Sequence, residues 1–147
     1  MRPAAFGVLA LLLEMAGPAA AQRAPDPQDA LVIVGESARS AWTERDFARL
    51  FAGGTHVQLR LPGADPSAGV GEAQAVSLLR AYVRGTTDLG VESVSAREVG
   101  TGRAFVDLKR RYRLDGTQEE RVESVLLGYR RAGTGWRLVD LRVLPGP

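Results

Sequence analysis

The sequence predicts an α+β domain in which N-terminal helices pack on a mainly antiparallel sheet. Three observations carry that expectation. The run from Arg103 to Leu144 reads as three long strands separated by two turn signals, Asp115-Gly116 and Arg131-Ala132-Gly133-Thr134-Gly135. Upstream, apolar residues recur at helical spacing in the segments that follow Asp26 and Glu72. At 147 residues, with 45% hydrophobic and 24% charged side chains, the chain is long and apolar enough for one globular core and is not disordered in composition.

Taken in order, Met1-Arg2 gives a short positive start and Ala4 to Ala16 is almost wholly apolar, interrupted by Glu14. Gly17-Pro18 breaks the run, and Ala19-Ala20-Ala21 fits a small-x-small cleavage pattern. The apolar run is short for a membrane span. Residues 1–21 therefore read as a signal peptide, residues 22–27 as a disordered lead, 28–144 as a single domain and 145–147 as a tail. Export to the periplasm or the medium, with no stable membrane anchor, is the implied localisation.

Asp26 can cap a first helix, Pro27 suits its first position, and Asp29 favours its positive end. Ala30, Leu31, Val34, Ala38, Ala41 and Trp42 trace its apolar stripe. Thr43-Glu44-Arg45-Asp46 resembles a capping box for a short second helix that buries Phe47, Leu50 and Phe51. A strand over 55–61 puts Val57, Leu59 and Leu61 on one face and His56, Gln58 and Arg60 on the other. Pro62 to Gly71 reads as a loop. Glu72 to Val83 is a third helix with Ala75, Leu78, Leu79 and Tyr82 on its apolar side, ended by Gly85-Thr86-Thr87-Asp88. A strand over Val91–Val99 then turns through Gly100-Thr101-Gly102 into the main sheet.

A two-residue turn at Asp115-Gly116 pairs Leu114 with Thr117 and sets the register behind it. Arg110 then opposes Arg121, Leu108 opposes Glu123, Val106 opposes Val125 and Ala104 opposes Leu127. The core face holds Ala104, Val106, Leu108, Val125 and Leu127, and becomes charged toward the turn. Phe105, Asp107, Lys109, Arg111 and Arg113 fall on the other face. Arginines directly opposed in a ladder are destabilising. The conflict predicts a bulge, a glutamate set diagonally between the two, or an anion from outside. The last strand alternates Arg137, Val139, Leu141 and Val143 against Trp136, Leu138, Asp140 and Arg142, with apolar residues on both faces, as in a strand covered on both sides.

Composition excludes several classes of function. There is no cysteine, hence no disulfide framework, thiol nucleophile, cysteine metal site or lipoprotein anchor. A formal net charge of +2 does not argue for nucleic acid. His56 is the one histidine, and it alternates away from the apolar face with no second or third member of a triad nearby. With one histidine and no carboxylate cluster, no metal site is read. The glycines at 69, 71, 100 and 102 lack the strand–turn–helix context of a phosphate loop. Lys109-Arg110-Arg111-Tyr112-Arg113 is split across two faces by strand alternation and lies opposite Glu119, Glu120 and Glu123, so it reads as a charge-paired hairpin.

The order of helix, short helix ("AWTERDFARLF"), strand ("THVQLRLPG"), loop, helix ("EAQAVSLLRAYV") and long meander resembles a known superfamily. It is that of nuclear transport factor, SnoaL and ketosteroid isomerase, with a cystatin-like, strongly curved cone of sheet. More narrowly, Val57 to Pro62, Ala73-Gln74-Ala75 and Gly135 to Val143 resemble motifs of an uncharacterised family of exported bacterial proteins. The resemblance spans residues 28–144 and implies fold far more than activity, because this architecture hosts enzymes and non-catalytic modules alike. It also implies homodimers as a common arrangement.

The isomerase-like relatives would place a carboxylate and a hydroxyl donor in an apolar cone. Asp107, Glu123 and Asp140 are the strand carboxylates here, with Tyr82, Tyr112 and Tyr129 as donors. Asp107 falls on the solvent face, and Glu123 lies near two arginines, so a structural ion-pair set is the better reading and no catalytic residue is assigned. The reading adopted is an exported, non-catalytic domain without cofactor. It binds a small anionic molecule or a protein partner through the sheet or through a cone mouth formed by Arg110, Tyr112, Arg121 and Glu123. Glu123 would satisfy one guanidinium and leave the other for the ligand. The alternatives are a cofactor-independent isomerase, dehydratase or hydrolase using Glu123 or Asp140 with a tyrosine, and a homodimeric structural module without ligand.

The cleavage pattern gives the first test. N-terminal sequencing of exported material should read from Gln22; material that still begins at Met1 would remove both cleavage and export.

Overall fold

The computed structural model describes residues 26–53, 56–64 and 67–146. The cleavage site and residues 1–25 lie outside the described residues. Helices α1 (Pro27–Thr43), α2 (Phe47–Phe51) and α3 (Glu72–Val83) are interleaved with strands β1 (His56–Arg60) and β2 (Ser67–Gly71). Strands β3 (Thr86–Glu98), β4 (Arg103–Leu114), β5 (Glu120–Ala132) and β6 (Gly135–Pro145) follow. They form one sheet in the order β2-β1-β6-β5-β4-β3, antiparallel except where β1 runs parallel to β6. The protein is α+β, as expected. Helix α1 begins at Pro27 and β6 ends at Pro145.

Helix α1 begins as the residues dictate. The Asp26 carboxylate accepts from the Gln28 amide at 3.0 Å, with Pro27 at the first helical position. Its buried face is Leu31, Gly35, Ala38, Ala41 and Trp42. Gly35 lets the helix lie close on the sheet: a Cβ there would touch Ala96 and Val106 at 3.6 Å. The expected capping box is absent. Thr43 is still helical, and the chain leaves α1 through Arg45 at φ 55°. The Arg45 amide bonds the Trp42 carbonyl and the Asp46 amide bonds the Ala41 carbonyl, which is a Schellman termination. Asp46 then starts α2 without a side-chain cap.

Four other expectations shift. The segment read as a loop from Pro62 to Gly71 contains β2, an edge strand paired with β1. Its glycine-rich sequence has no alternation, so only the backbone partner reveals it. Helix α3 has the expected bounds but buries Ala75, Val76, Leu79 and Val83, while Leu78 is 37% exposed. Strand β3 starts at Thr86, immediately after Gly85, and skips register around Leu89 and Val94. In β6 the register skips at Val139, which brings Leu138 onto the same buried face as Leu141 and Val143. Such bulges bend the strands that carry them. The second hairpin closes on a two-residue turn, Gly133-Thr134, between Ala132 and Gly135.

The main hairpin carries the largest correction. Strand β4 ends at Leu114 and β5 begins at Glu120, so five residues join them instead of two. Arg110 opposes Glu123, Tyr112 opposes Arg121, Leu108 opposes Val125 and Val106 opposes Leu127. The shift is two residues, one full side-chain period, so each side chain keeps its expected face. Arg110 and Arg121 are therefore not opposed.

The core lies between the helices and the inner face of the sheet, where Ala104, Val106, Leu108, Val125, Leu127, Leu138, Leu141 and Val143 meet Leu31, Trp42, Phe47 and Leu79. Trp42 and Phe47 stack edge to face with centroids 5.2 Å apart, and neither is exposed. Phe47→Ala should cost about 3–5 kcal/mol in urea unfolding. A loss under about 1 kcal/mol, the range of surface changes, would show that α2 does not anchor the core.

Candidate functional site

Apolar residues fill the inner face up to Leu108, and the next inward position on β4 is Arg110, 1% exposed. A guanidinium there must be neutralised, because an unpaired buried charge is prohibitively costly. Its Nη1 donates to Glu123 Oε1 on β5 at 2.7 Å, and Glu123 is only 2% exposed. Its Nε donates to Asp88 Oδ1 on β3 at 2.7 Å, and its Nη2 to the Thr86 hydroxyl at 2.6 Å. Tyr82, at the end of α3, donates its hydroxyl to the second Glu123 oxygen at 2.6 Å. The Tyr112 ring lies 4.3 Å from the Arg110 guanidinium carbon, close enough for a cation–π contact.

Arg45 closes the far side of this set. It donates to Asp88 Oδ2 at 3.3 Å and to the Thr86 carbonyl at 2.7 Å. A non-glycine residue in the left-handed region is strained, and these bonds offset the strain where the two helices meet. Two arginines and two carboxylates thus balance in charge.

Above this floor opens a pocket of about 550 Å³. All four residues expected at the cone mouth, Arg110, Tyr112, Arg121 and Glu123, line it. Arg110 is committed to the floor. Arg121, on the rim, pairs with Glu119 at 2.9 Å, both side chains about half exposed; the bonded Glu119 carboxylate raises its pKa. The sequence pattern does not reveal Asp88 and Thr86, which it places in a helix terminator, or Arg45, which it places in a cap. No local signal marks them, since Asp88 and Thr86 meet Arg110 across 22 and 24 residues of chain and Arg45 meets Asp88 across 43. Arg84, Pro62 and the C-terminal Pro145-Gly146 also line the pocket. The Gly146 amide bonds the Val122 carbonyl at 2.8 Å, and a Cβ at 146 would collide with that oxygen.

The other candidate carboxylates lie elsewhere. Asp107 and Asp140 sit on the outer face of the sheet, where Asp140 pairs with Arg142 at 2.9 Å. Tyr129 is buried on the inner face outside this pocket, and burial raises its pKa. His56 is exposed on the outer face. Among the described residues no group of three His, Cys, Asp or Glu could hold a metal ion. No described helix is long and apolar enough to cross a membrane.

With this geometry in view, the solved structures define the fold. A ketosteroid isomerase-like protein from Erwinia carotovora atroseptica superposes with a TM-score of 0.66 at 16% identity, covering 82% of this chain and 97% of that one. A DUF4783 family protein from Bacteroides uniformis gives 0.62 at 12% identity, covering 76% of this chain and 96% of that one. An NTF2-like protein of unknown function from Prochlorococcus gives 0.58 at 15% identity, covering 84% and 95%. The chain therefore has the cystatin-like cone fold shared by nuclear transport factor and ketosteroid isomerase. No family model matches the sequence, and no curated protein does.

The Tyr82 hydroxyl has its pKa raised well above the ordinary 10.0, first by burial and then by its bond to Glu123. The folded state then holds this proton more tightly than the unfolded chain. The stabilisation is complete below about pH 10 and is lost as pH rises beyond it. Denaturant unfolding should therefore show stability falling above about pH 10, and Tyr82→Phe should make the fall shallower while costing about 1 kcal/mol at neutral pH. Identical slopes for the two proteins would mean that Tyr82 titrates normally.

Proposed function

We propose that this protein is an exported, non-catalytic module that binds a small molecule bearing an anionic group in the mouth of the cone. One observation carries the reading: the pocket has a charge-balanced floor, so Glu123, its buried carboxylate, is structural, while the exposed Glu120 of the lining pairs with Arg113. Glu123 Oε1 accepts from Arg110 and Oε2 from Tyr82, at 2.7 and 2.6 Å. A general base must reach a substrate proton, and Glu123 presents almost no surface from which to do so. Asp140, the other carboxylate considered for catalysis, is on the opposite face of the sheet.

The volume of about 550 Å³ suits a small ligand. Tyr82 and Tyr112 offer aromatic walls, while Arg84 and Arg121 stand at the opening. Arg121 is not idle, but an exposed pair such as Arg121–Glu119 contributes little, because solvent screens it. A ligand carboxylate or phosphate gripped bidentately can displace Glu119 at that small cost.

The test is thermal unfolding with benzoate and phenyl phosphate, whose rings suit the tyrosines and whose charges suit Arg121. A ligand at a hundred times its Kd should stabilise the wild type by about 2.7 kcal/mol. Arg121→Ala, a surface change, should fold normally and lose most of that gain. The reading fails if neither compound shifts the wild type, or if Arg121→Ala responds as the wild type does. Conversion of a probe to product would replace binding with catalysis.

A further inference from the structure

The outer face of the sheet carries a second concentration of charge, and its chemistry is the reverse of the cone floor. Arg130 on β5 is flanked in the ladder by Arg103 on β4 and by Arg137 on β6. Arg60 on β1 is flanked by Arg142 on β6. All five belong to the face away from the helices, since they alternate with the buried Ala104, Tyr129, Leu138, Leu59 and Leu141. Directly opposed like charges destabilise a sheet, and here one row has two such contacts side by side.

Arg60, Arg103, Arg130 and Arg142 line one open depression of about 410 Å³, together with His56 and Asp140. Among the described residues Asp140 is its one carboxylate, and it is already bonded to Arg142 at 2.9 Å. Arg60, Arg103 and Arg130 have no ion pair among the described residues, whereas the neighbouring Arg131, on the other face, is paired with Glu98. Among the described residues, four arginines against one carboxylate leave the depression with a formal charge of +3 when His56 is neutral. On the inner face the same protein surrounds each buried cation with carboxylates. On the outer face it leaves three cations uncompensated in a concave site.

We infer that this depression is a binding site for a small, multiply charged anion that bridges β1, β6, β5 and β4. The occupant is small because the cavity is small. It is multiply charged because neighbouring strands set the guanidinium stems about 4.8 Å apart, so one anionic group reaches only some of them. Oligophosphates and polycarboxylates share this chemistry, and both engage arginine through bidentate hydrogen bonds. The inference is independent of the cone-mouth ligand, because the sheet separates the two sites.

The experiment is isothermal titration of the full chain with inorganic tripolyphosphate and, separately, with citrate, at about 150 mM salt so that unspecific long-range attraction is screened. At least one probe should bind the wild type at one equivalent, with inorganic monophosphate markedly weaker. Arg130→Ala should weaken that binding about tenfold or more, as loss of a charge-assisted bidentate contact does. Its unliganded melting temperature should hold or rise, because two like-charge contacts disappear. Arg103→Gln serves as a second variant should the first fail to fold. Arg121→Ala, at the cone mouth, should bind both probes as the wild type does. Which probe binds assigns phosphate or carboxylate chemistry. Absence of binding by both, or binding that survives both Arg130→Ala and Arg103→Gln, overturns the site. Loss of binding only in Arg121→Ala would move the anion to the cone mouth and overturn it equally.

Discussion

The contact on which the rest of the structure depends is the buried pairing of Arg110 with Glu123, 2.7 Å apart. Hydrophobic pattern alone does not fix how β4 and β5 align. A slip of two residues leaves each apolar side chain on its own face and changes only its partner. In the slipped arrangement Arg110 faces Arg121 and Glu123 faces Leu108, so a buried cation and a buried carboxylate both lose their neutralisation. Removing one partner from a buried pair typically costs about 3–5 kcal/mol, enough to decide between two registers that bury similar apolar surface. Charge complementarity thus selects the observed alignment, and the five-residue connection after Leu114 follows from it.

The same guanidinium ties distant parts of the chain together. Through Asp88 and Thr86 it holds the start of β3, through Glu123 and Tyr82 it holds the end of α3, and through Asp88 it reaches Arg45 at the end of α1. Taking these charges out of water is costly, and the attraction between them recovers that cost only when the remaining hydrogen-bonding groups are satisfied. Both Glu123 oxygens are engaged, as are three nitrogens of Arg110. The outcome is a rigid floor whose position and charge are fixed before any ligand arrives, which lowers the ordering cost of binding.

The two faces of the sheet use arginine differently. On the inner face the surroundings are apolar, so the cation is matched by carboxylates and contributes geometry. On the outer face water solvates Arg60, Arg103 and Arg130, and the same residue type tolerates having no partner. A fold shared with proteins of differing function is compatible with either use, and at 12–16% identity the structural neighbours speak to the fold alone. The functional reading rests on what the side chains of this chain do.

Short-range pattern alone set the α+β class, the start of α1, the bounds of α3, the meander of β4, β5 and β6, and the face on which each β4 and β5 residue lies. These follow from short-range rules: a capping aspartate before a proline, 3.6-residue and two-residue apolar periods, and glycine at turns. It also brought Arg110, Tyr112, Arg121 and Glu123 to one end of the sheet, because shared face and proximity to the turn survive a slip of one period. Tertiary structure decided who pairs with whom. The Arg110–Glu123 alignment, the recruitment of Asp88 and Thr86 to a strand, the β2 edge and the Val139 bulge all depend on partners remote in sequence. Local propensity is silent on such choices, and they are made by the requirement that a buried charge and a buried backbone group each find a partner.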